Sequence, residues 1–296
     1  MITIKIMGGV GNQLFQYALG FALKKQLNKE VQFDTSYYYN NNDNDTTKRQ
    51  LSLEAFSLTD LKKNNSTTII PQDIFAKVPR FLERIFLPYY KNSYTQEKQF
   101  KFDPNIFQVR NNAYLDGYWQ SPKYFEGIEA DLRNQLVLKN KMSAGAAIYS
   151  DLINSSNNSI SIHIRRSDYL SKYSHIYHIQ TSDYYTKSIN CILSNLQIED
   201  ITIFIFSDDI DWCKVNIKLP YKNIMIEDEK MYSYEGMVLM AQCKHNIIAN
   251  STYSWWGAWM NNYKNKIVVA PKQWFIEPNQ NAQYIQSIYP PSWVCL

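Results

Sequence analysis

Short apolar runs that alternate with helical stretches constrain this chain more than any other feature. In the second half the pattern predicts strands over 160–165, 201–206, 223–226, 246–249 and 267–270, with helices over 184–196, 233–243 and 254–262. Ile203-Phe204-Ile205-Phe206 is apolar without a break, as a strand buried on both faces must be. Strands alternating with helices predict a parallel sheet covered on both sides. The first half opens on the same plan. Ile2, Ile4 and Ile6 alternate with Thr3 and Lys5, and a glycine turn follows. Leu14, Phe15, Ala18, Leu19, Ala22 and Leu23 then recur at helical spacing, and a strand over 31–33 ends at Asp34. At 296 residues the chain has room for two α/β domains. The polar break at 154–159 sets the expected domains at 1–154 and 155–296, with helix over 126–152. The polar, low-complexity stretch 39–47 reads as a surface loop, and 70–110 as short helices.

Composition removes several function classes. The net charge of +4 comes without a Lys/Arg run or basic helix face, which argues against a nucleic-acid partner. No stretch reaches the roughly 18 apolar residues that span a bilayer, and no secretion signal opens the chain. Cys191, Cys213, Cys243 and Cys295 show no CxxC spacing and read as unpaired thiols of a cytoplasmic protein. The 23 tyrosines could serve as sugar-stacking platforms, but packing is the commoner use of aromatic side chains.

In open α/β sheets, ligands bind beyond the carboxyl ends of the strands, and the polar motifs sit there. The strand over 160–165 delivers His163, Arg165, Arg166 and Asp168. The strand over 201–206 delivers Ser207, Asp208 and Asp209. The strand over 246–249 delivers Asn250, Ser251, Thr252 and Ser254 just before a helix. A guanidinium suits bidentate capture of phosphate, and a helix N-terminus attracts anions. Together they fit a diphosphate and could offset charge growing on a nucleoside-diphosphate leaving group. A local Arg165–Asp168 ion pair and a helix cap from Asp208-Asp209 are the structural alternatives.

Gly9-x-Gly11-x-x-Leu14 lacks the third glycine of the dinucleotide fingerprint, although Asp34 stands where a ribose-binding acid would. Asn12 and Gln13 could instead present amides across a cleft. Asp43-Asn44-Asp45 and Asp208-Asp209 resemble metal-holding pairs only weakly, and zinc spacing is missing. His175 and His178 follow the Arg165 motif as candidates for a general base.

Five segments, taken in order, resemble one family: 8–18 (GGVGNQLFQYA), 117–125 (GYWQSPKYF), 163–169 (HIRRSDY), 206–209 (FSDD) and 243–259 (CKHNIIANSTYSWWGAW). The chain is similar to glycosyltransferase family 11, the α-1,2-fucosyltransferases, from the first strand to about residue 275. The resemblance implies a GT-B-like fold, two Rossmann-like domains facing across a cleft, with the acceptor on the first and GDP-fucose on the second. It implies inverting transfer of L-fucose from GDP-β-L-fucose to the 2-hydroxyl of a galactose-terminated glycan, with no metal or other cofactor. The setting would be bacterial surface-polysaccharide assembly, with peripheral association to membrane-borne lipid-linked oligosaccharide. Carried over, Arg165 contacts the diphosphate, supported by Arg166 and Asp168 beside Asp208 and Asp209. Ser251, Thr252 and Ser254 hold phosphate, His163 and Glu235 contact guanosine, and Asn12 and Gln13 reach in from the first domain. Asp168 and His178 are the candidate bases. Ser167 stands where the family usually has glycine. The competing readings are a nucleotide-binding oxidoreductase using Gly9, Gly11 and Asp34, and a non-catalytic glycan-binding protein stacking sugars on Trp255, Trp256 and Trp259.

Overall fold

The structure is a computed structural model that describes residues 1–39, 49–59, 63–64, 85, 87–196, 200–227 and 231–296. Most of the expected loop at 39–47, its Asp43-Asn44-Asp45 pair, and much of 70–86 lie outside the described residues. The chain falls into two compact units, 1–139 with 286–288, and 140–285 with 289–296.

The first unit is built on a parallel sheet of β1 (Ile2–Lys5), β2 (Val31–Asp34), β3 (Lys63–Asn64), β4 (Tyr94–Gln96) and β5 (Tyr114–Asp116), in the order β3-β2-β1-β5-β4. Helix α1 (Val10–Leu27) follows β1 and buries Leu14, Phe15, Ala18, Leu19, Ala22 and Leu23. It lies close on the sheet: a Cβ on Gly20 would stand 2.6 Å from the Phe33 ring. Asn28, at φ 51°, turns the chain out of the helix and returns its N–H to Leu23. The predicted helix over 126–152 is two helices, α2 (Glu129–Gln135) in this unit and α3 (Ala144–Asn154) in the second.

The second unit carries six parallel strands: β6 (Ser159–Ile164), β7 (Thr202–Ser207), β8 (Lys222–Ile226), β9 (His245–Ile247), β10 (Val268–Ala270) and β11 (Val294–Cys295). Their order is β8-β7-β6-β9-β10-β11. In unit-local numbers this is 3-2-1-4-5-6, the doubly wound arrangement that reverses direction between its first and fourth strands. Period-2 alternation divides the core. Ile203 and Ile205 of β7 pack with Tyr185, Ile189 and Ile192 of α5 (Ser182–Leu196), while Phe204 and Phe206 pack on the other face with Ala146, Leu239 and Met240. Leu239 and Met240 belong to α7 (Glu235–Gln242).

Helix α3 explains why the division falls at 139/140 and not at the expected 154/155. Ala146 and Ile153 are buried against β7 and α7, and Ser150 donates to Gln242. The polar 154–159 stretch is the turn between α3 and β6, internal to the second unit. Three further elements lacked a clear period in the sequence: the short α6 (Ile210–Asn216), α9 (Pro278–Ile288) and the final strand β11. In the described part of 70–110 there are two helical turns, Tyr89–Lys91 and Pro104–Gln108, and the strand β4.

Candidate active site

The three polar exits of the second unit are neighbours. Central β6 pairs with β7 on one side, Ile164 opposite Ser207, and with β9 on the other, Ile162 opposite Ile247. The chain leaves β6 into the short helix α4 (Ser167–Ser171), and Arg165 stands between two carboxylates. Its Nη2 lies 2.6 Å from Asp168 Oδ2 and its Nε 3.3 Å from Asp208 Oδ2. The ring of Tyr169 lies 5.8 Å from the guanidinium. Burial opposes the charge on Arg165, but Asp208 and Asp168 more than offset it and hold the pKa above the ordinary value. These bonds use Nη2 and Nε and leave the Nη1 hydrogens for another acceptor.

Asp208 and Asp209, expected among the nucleotide-binding residues, are bonded within the second unit. Asp208 accepts the backbone N–H groups of Arg166 and Ser167 at 2.9 and 3.2 Å, fixing the loop that carries Arg165. Asp209 caps α6 by accepting from the Trp212 N–H. Arg166 lies flat over the Trp212 ring at 3.7 Å, with Asp209 at 3.6 Å. The acidic pair is thereby engaged with two arginines. Trp212 escaped the sequence reading; its place in the first turn after the Asp209 cap was the available signal.

At the β9 exit, Ser251 caps helix α8 (Thr252–Met260) by accepting from the Tyr253 N–H. Asn250 donates to the carbonyls of His178 and Trp274, and its own carbonyl accepts from the Tyr169 hydroxyl at 2.8 Å. The loop of His178 is thereby tied to the switch point, where a stack of Tyr169 on Tyr177 at 4.4 Å also holds it. Burial lowers the His178 pKa, disfavouring its charged form. Thr252 opens α8 in a half-buried position. Ser254, expected at a phosphate, is fully buried and donates to the backbone of Ala249 and Ser251.

His163 is buried beside the Tyr253 ring at 5.6 Å. Burial and the adjacent Arg165 push its pKa down to about 3, so it stays neutral. Its Nδ1 and the Oδ1 of Asn250 are buried without a hydrogen-bond partner among the described residues. Buried unpaired polar atoms are uncommon in folded proteins, and these two flank the same switch point. Glu235, the expected guanine reader, is bonded within the second unit. It is buried, and its carboxylate accepts from the Ser143 N–H and hydroxyl and from the Tyr232 N–H, anchoring the chain ahead of α3.

In the first unit, Gln13 is bonded internally. It is fully buried; its amide donates to Gly8 and Gln50 carbonyls and accepts from the Ser52 N–H. Asn12 remains half-buried on the first turn of α1 and accepts from Gln120. Asp34, the ribose-binding acid of the oxidoreductase reading, is buried under the Tyr114 hydroxyl and the Ser36 N–H. Trp255, Trp256 and Trp259 are core residues, which removes the stacking surface of the glycan-binding reading. Among the described residues no helix is long and apolar enough to cross a membrane.

The second unit is a doubly wound α/β sheet with two arginines at its switch point, beside a helix N-terminus, an arrangement that suits an anion. The chain belongs to glycosyltransferase family 11, whose family model (Glycosyl transferase family 11) matches residues 1–296. It is 35% identical to the O-antigen biosynthesis glycosyltransferase WbnK of Escherichia coli, over 93% of this chain and 95% of that one. It is 31% identical to an alpha-1,2-colitosyltransferase of the same species, over 95% of each chain. A galactoside 2-alpha-L-fucosyltransferase of Caenorhabditis elegans is 25% identical over 99% of this chain and 78% of its own. In fold the chain is similar to NodZ alpha-1,6-fucosyltransferase soaked with GDP-fucose, at TM-score 0.50 and 13% identity, covering 88% of this chain and 92% of that one.

Proposed function

We propose that this glycosyltransferase is an inverting, metal-independent enzyme of GT-B type. On this reading it transfers L-fucose from GDP-β-L-fucose to the 2-hydroxyl of a galactoside in a glycan. The observation that carries the reading is Arg165, held at the end of the central strand by Asp168 and Asp208 with Nη1 unengaged. The diphosphate lies between that guanidinium and the start of α8. As the bond from the anomeric carbon to the diphosphate breaks, negative charge grows on the leaving oxygen, and the fixed cation and helix N-terminus stabilise it without reorganising. The acceptor hydroxyl attacks from the opposite face, which inverts the anomeric centre.

His178 is the better candidate for the base. The Asp168 carboxylate is engaged with Arg165, whereas burial disfavours the charged form of the His178 imidazole. His163 and Asn250 offer their unpaired atoms to the donor. The 2-position is supported by the names of the colitosyl and fucosyl relatives.

The test incubates the protein with GDP-fucose and a β-galactoside panel in EDTA and measures GDP release and fucosylated product. Transfer that survives chelation is the expected result. Absence of any product with GDP-fucose overturns the donor assignment. Because one relative is named as a colitosyltransferase, a nucleotide-activated colitose is the competing donor to run in parallel.

A further inference from the structure

The two arginines at the end of β6 are held in different ways. Arg165 lies between two carboxylates, Asp168 at 2.6 Å and Asp208 at 3.3 Å. Arg166 pairs with one carboxylate among the described residues, Asp209, and more loosely: 3.6 Å separates its Nε from Oδ2, beyond hydrogen-bond reach. A ring holds it instead. The guanidinium lies 3.7 Å from the centre of the Trp212 indole, against 5.8 Å for Arg165 and Tyr169. Of the three guanidinium nitrogens of Arg166, only Nε is buried without a partner. Nη1 and Nη2 make no hydrogen bond among the described residues, and the side chain keeps 15% of its surface open to solvent.

One acid fixes both the ring and the cation above it. Asp209 Oδ1 accepts the Trp212 N–H at 3.2 Å in the first turn of α6, while Oδ2 turns to Arg166. Asp209 is itself braced, its N–H donating to Ser207 Oγ at 3.0 Å. From the same strand exit, Asp208 accepts the Arg166 and Ser167 N–H groups, and the Ser167 hydroxyl donates back to the Asp208 carbonyl at 2.7 Å. The exits of β6 and β7 are thus cross-linked into one braced piece. Trp212, half-buried, seats that piece on the core that contains Ile203, Ile205 and Cys213.

Formal charges show what the ring accomplishes. Arg165 contributes +1 against −2 from Asp168 and Asp208, a sum of −1; Arg166 and Asp209 sum to zero. A second carboxylate under Arg166 would bring that pair to −1 as well and make the exit of β6 repel an anion. An indole face attracts a guanidinium through its quadrupole and adds no charge. It also fixes the plane of the guanidinium by stacking, which an ammonium could not exploit. We propose that Trp212 is a positioning residue for a bound diphosphate: it stands in for a second carboxylate and holds Arg166 flat, with Nη1 and Nη2 available to phosphoryl oxygens. The inference rests on the diphosphate site read above at this strand exit, and adds to it a residue that acts through Arg166.

The test measures dissociation constants of GDP and of inorganic pyrophosphate by calorimetry for wild type, Trp212→Leu, Arg166→Gln and the double variant, with thermal melts alongside. Trp212→Leu is expected to weaken both ligands about three- to tenfold, the size of a partly desolvated cation–π contact. On the Arg166→Gln background it is expected to add no further loss, because the ring acts through that guanidinium. Losses that multiply in the double variant, or a Trp212→Leu protein that binds both ligands as wild type does, overturn the proposal. Arg166→Lys keeps the charge and loses the stack, so it should match Trp212→Leu; wild-type affinity in that variant also overturns it. If Trp212→Leu does not fold, Trp212→Phe, with a weaker ring, runs the same cycle at an expected effect of about twofold. The wild type tells the two readings apart. Pyrophosphate binding without GDP binding removes the nucleotide donor, and the cycle is then read on pyrophosphate; binding of neither overturns both.

Discussion

Glu97 in the first unit and Asp208 in the second each follow a strand directly, and each receives the backbone N–H groups of two consecutive residues leaving the neighbouring parallel strand. For Glu97 these are Tyr118 and Trp119; for Asp208 they are Arg166 and Ser167. The backbone device is the same, but the electrostatic settings differ. Asp208 has the Arg165 guanidinium at 3.3 Å. Glu97 has no ion-pair partner among the described residues; burial, with a further push from Asp116, raises its pKa to about 7 against the two N–H bonds that lower it. A carboxylate fastening two amides thus stands against a guanidinium in one unit and without an ion-pair partner among the described residues in the other. What decides between them is whether a cation stands within reach.

The largest effect expected from breaking this contrast is at its cation. Arg165→Ala should lower kcat by on the order of 10²–10³-fold, as loss of one fixed charge-stabilising donor does elsewhere. The melting temperature should fall as well, because Asp168 and Asp208 lose the cation they share. Steady-state kinetics with a thermal melt checks both, and near-normal turnover would remove Arg165 from the mechanism.

Next in size is Gly117→Ala. The new methyl would collide with Glu97 Cβ at 2.4 Å and should cost about 1–3 kcal/mol of stability. Gly9→Ala is the matched control, since a Cβ there meets nothing within 4 Å. It should change stability by less than about 0.5 kcal/mol, and denaturant melts of the two variants give the comparison.

Glu97 also carries a pH signature. Its pKa is raised from 4.5 to about 7 on folding, so its contribution to stability is complete below about 4.5 and is lost as pH rises through about 7. Glu97→Gln should remove a dependence on the order of 1–3 kcal/mol across that window. Parallel melts from pH 4 to 8 measure it as the difference between wild type and variant; identical pH profiles would refute the assignment. Asp208→Asn should have the smallest effect on function, about a tenfold loss in kcat/KM for the donor, because it removes one of two charges on Arg165 and keeps one amide acceptor.

The strand–helix alternation was legible because β6 and β7 are buried on both faces and read as unbroken apolar runs. The exits carrying Arg165, Asp208 and Ser251 were legible because polar residues directly after such a run fall at the sheet's edge. Their individual roles were not. Gln13, Glu235 and Ser254 have side chains chemically able to bind a nucleotide, yet each is buried and bonded within its own unit. Helix α3 was assigned to the wrong unit because its spacing announces an apolar face without naming the sheet that covers it.

Sequence alone determined the α/β plan, the parallel sheets and the gathering of charged groups beyond the strands, because periodicity and residue order are local properties. Tertiary structure decided which of those groups face a ligand and which brace the backbone. It also decided that Glu97 and Trp119 meet around Gly117. Burial and partnership depend on residues distant in the chain, and they fix whether a carboxylate or an amide is already satisfied before a ligand arrives.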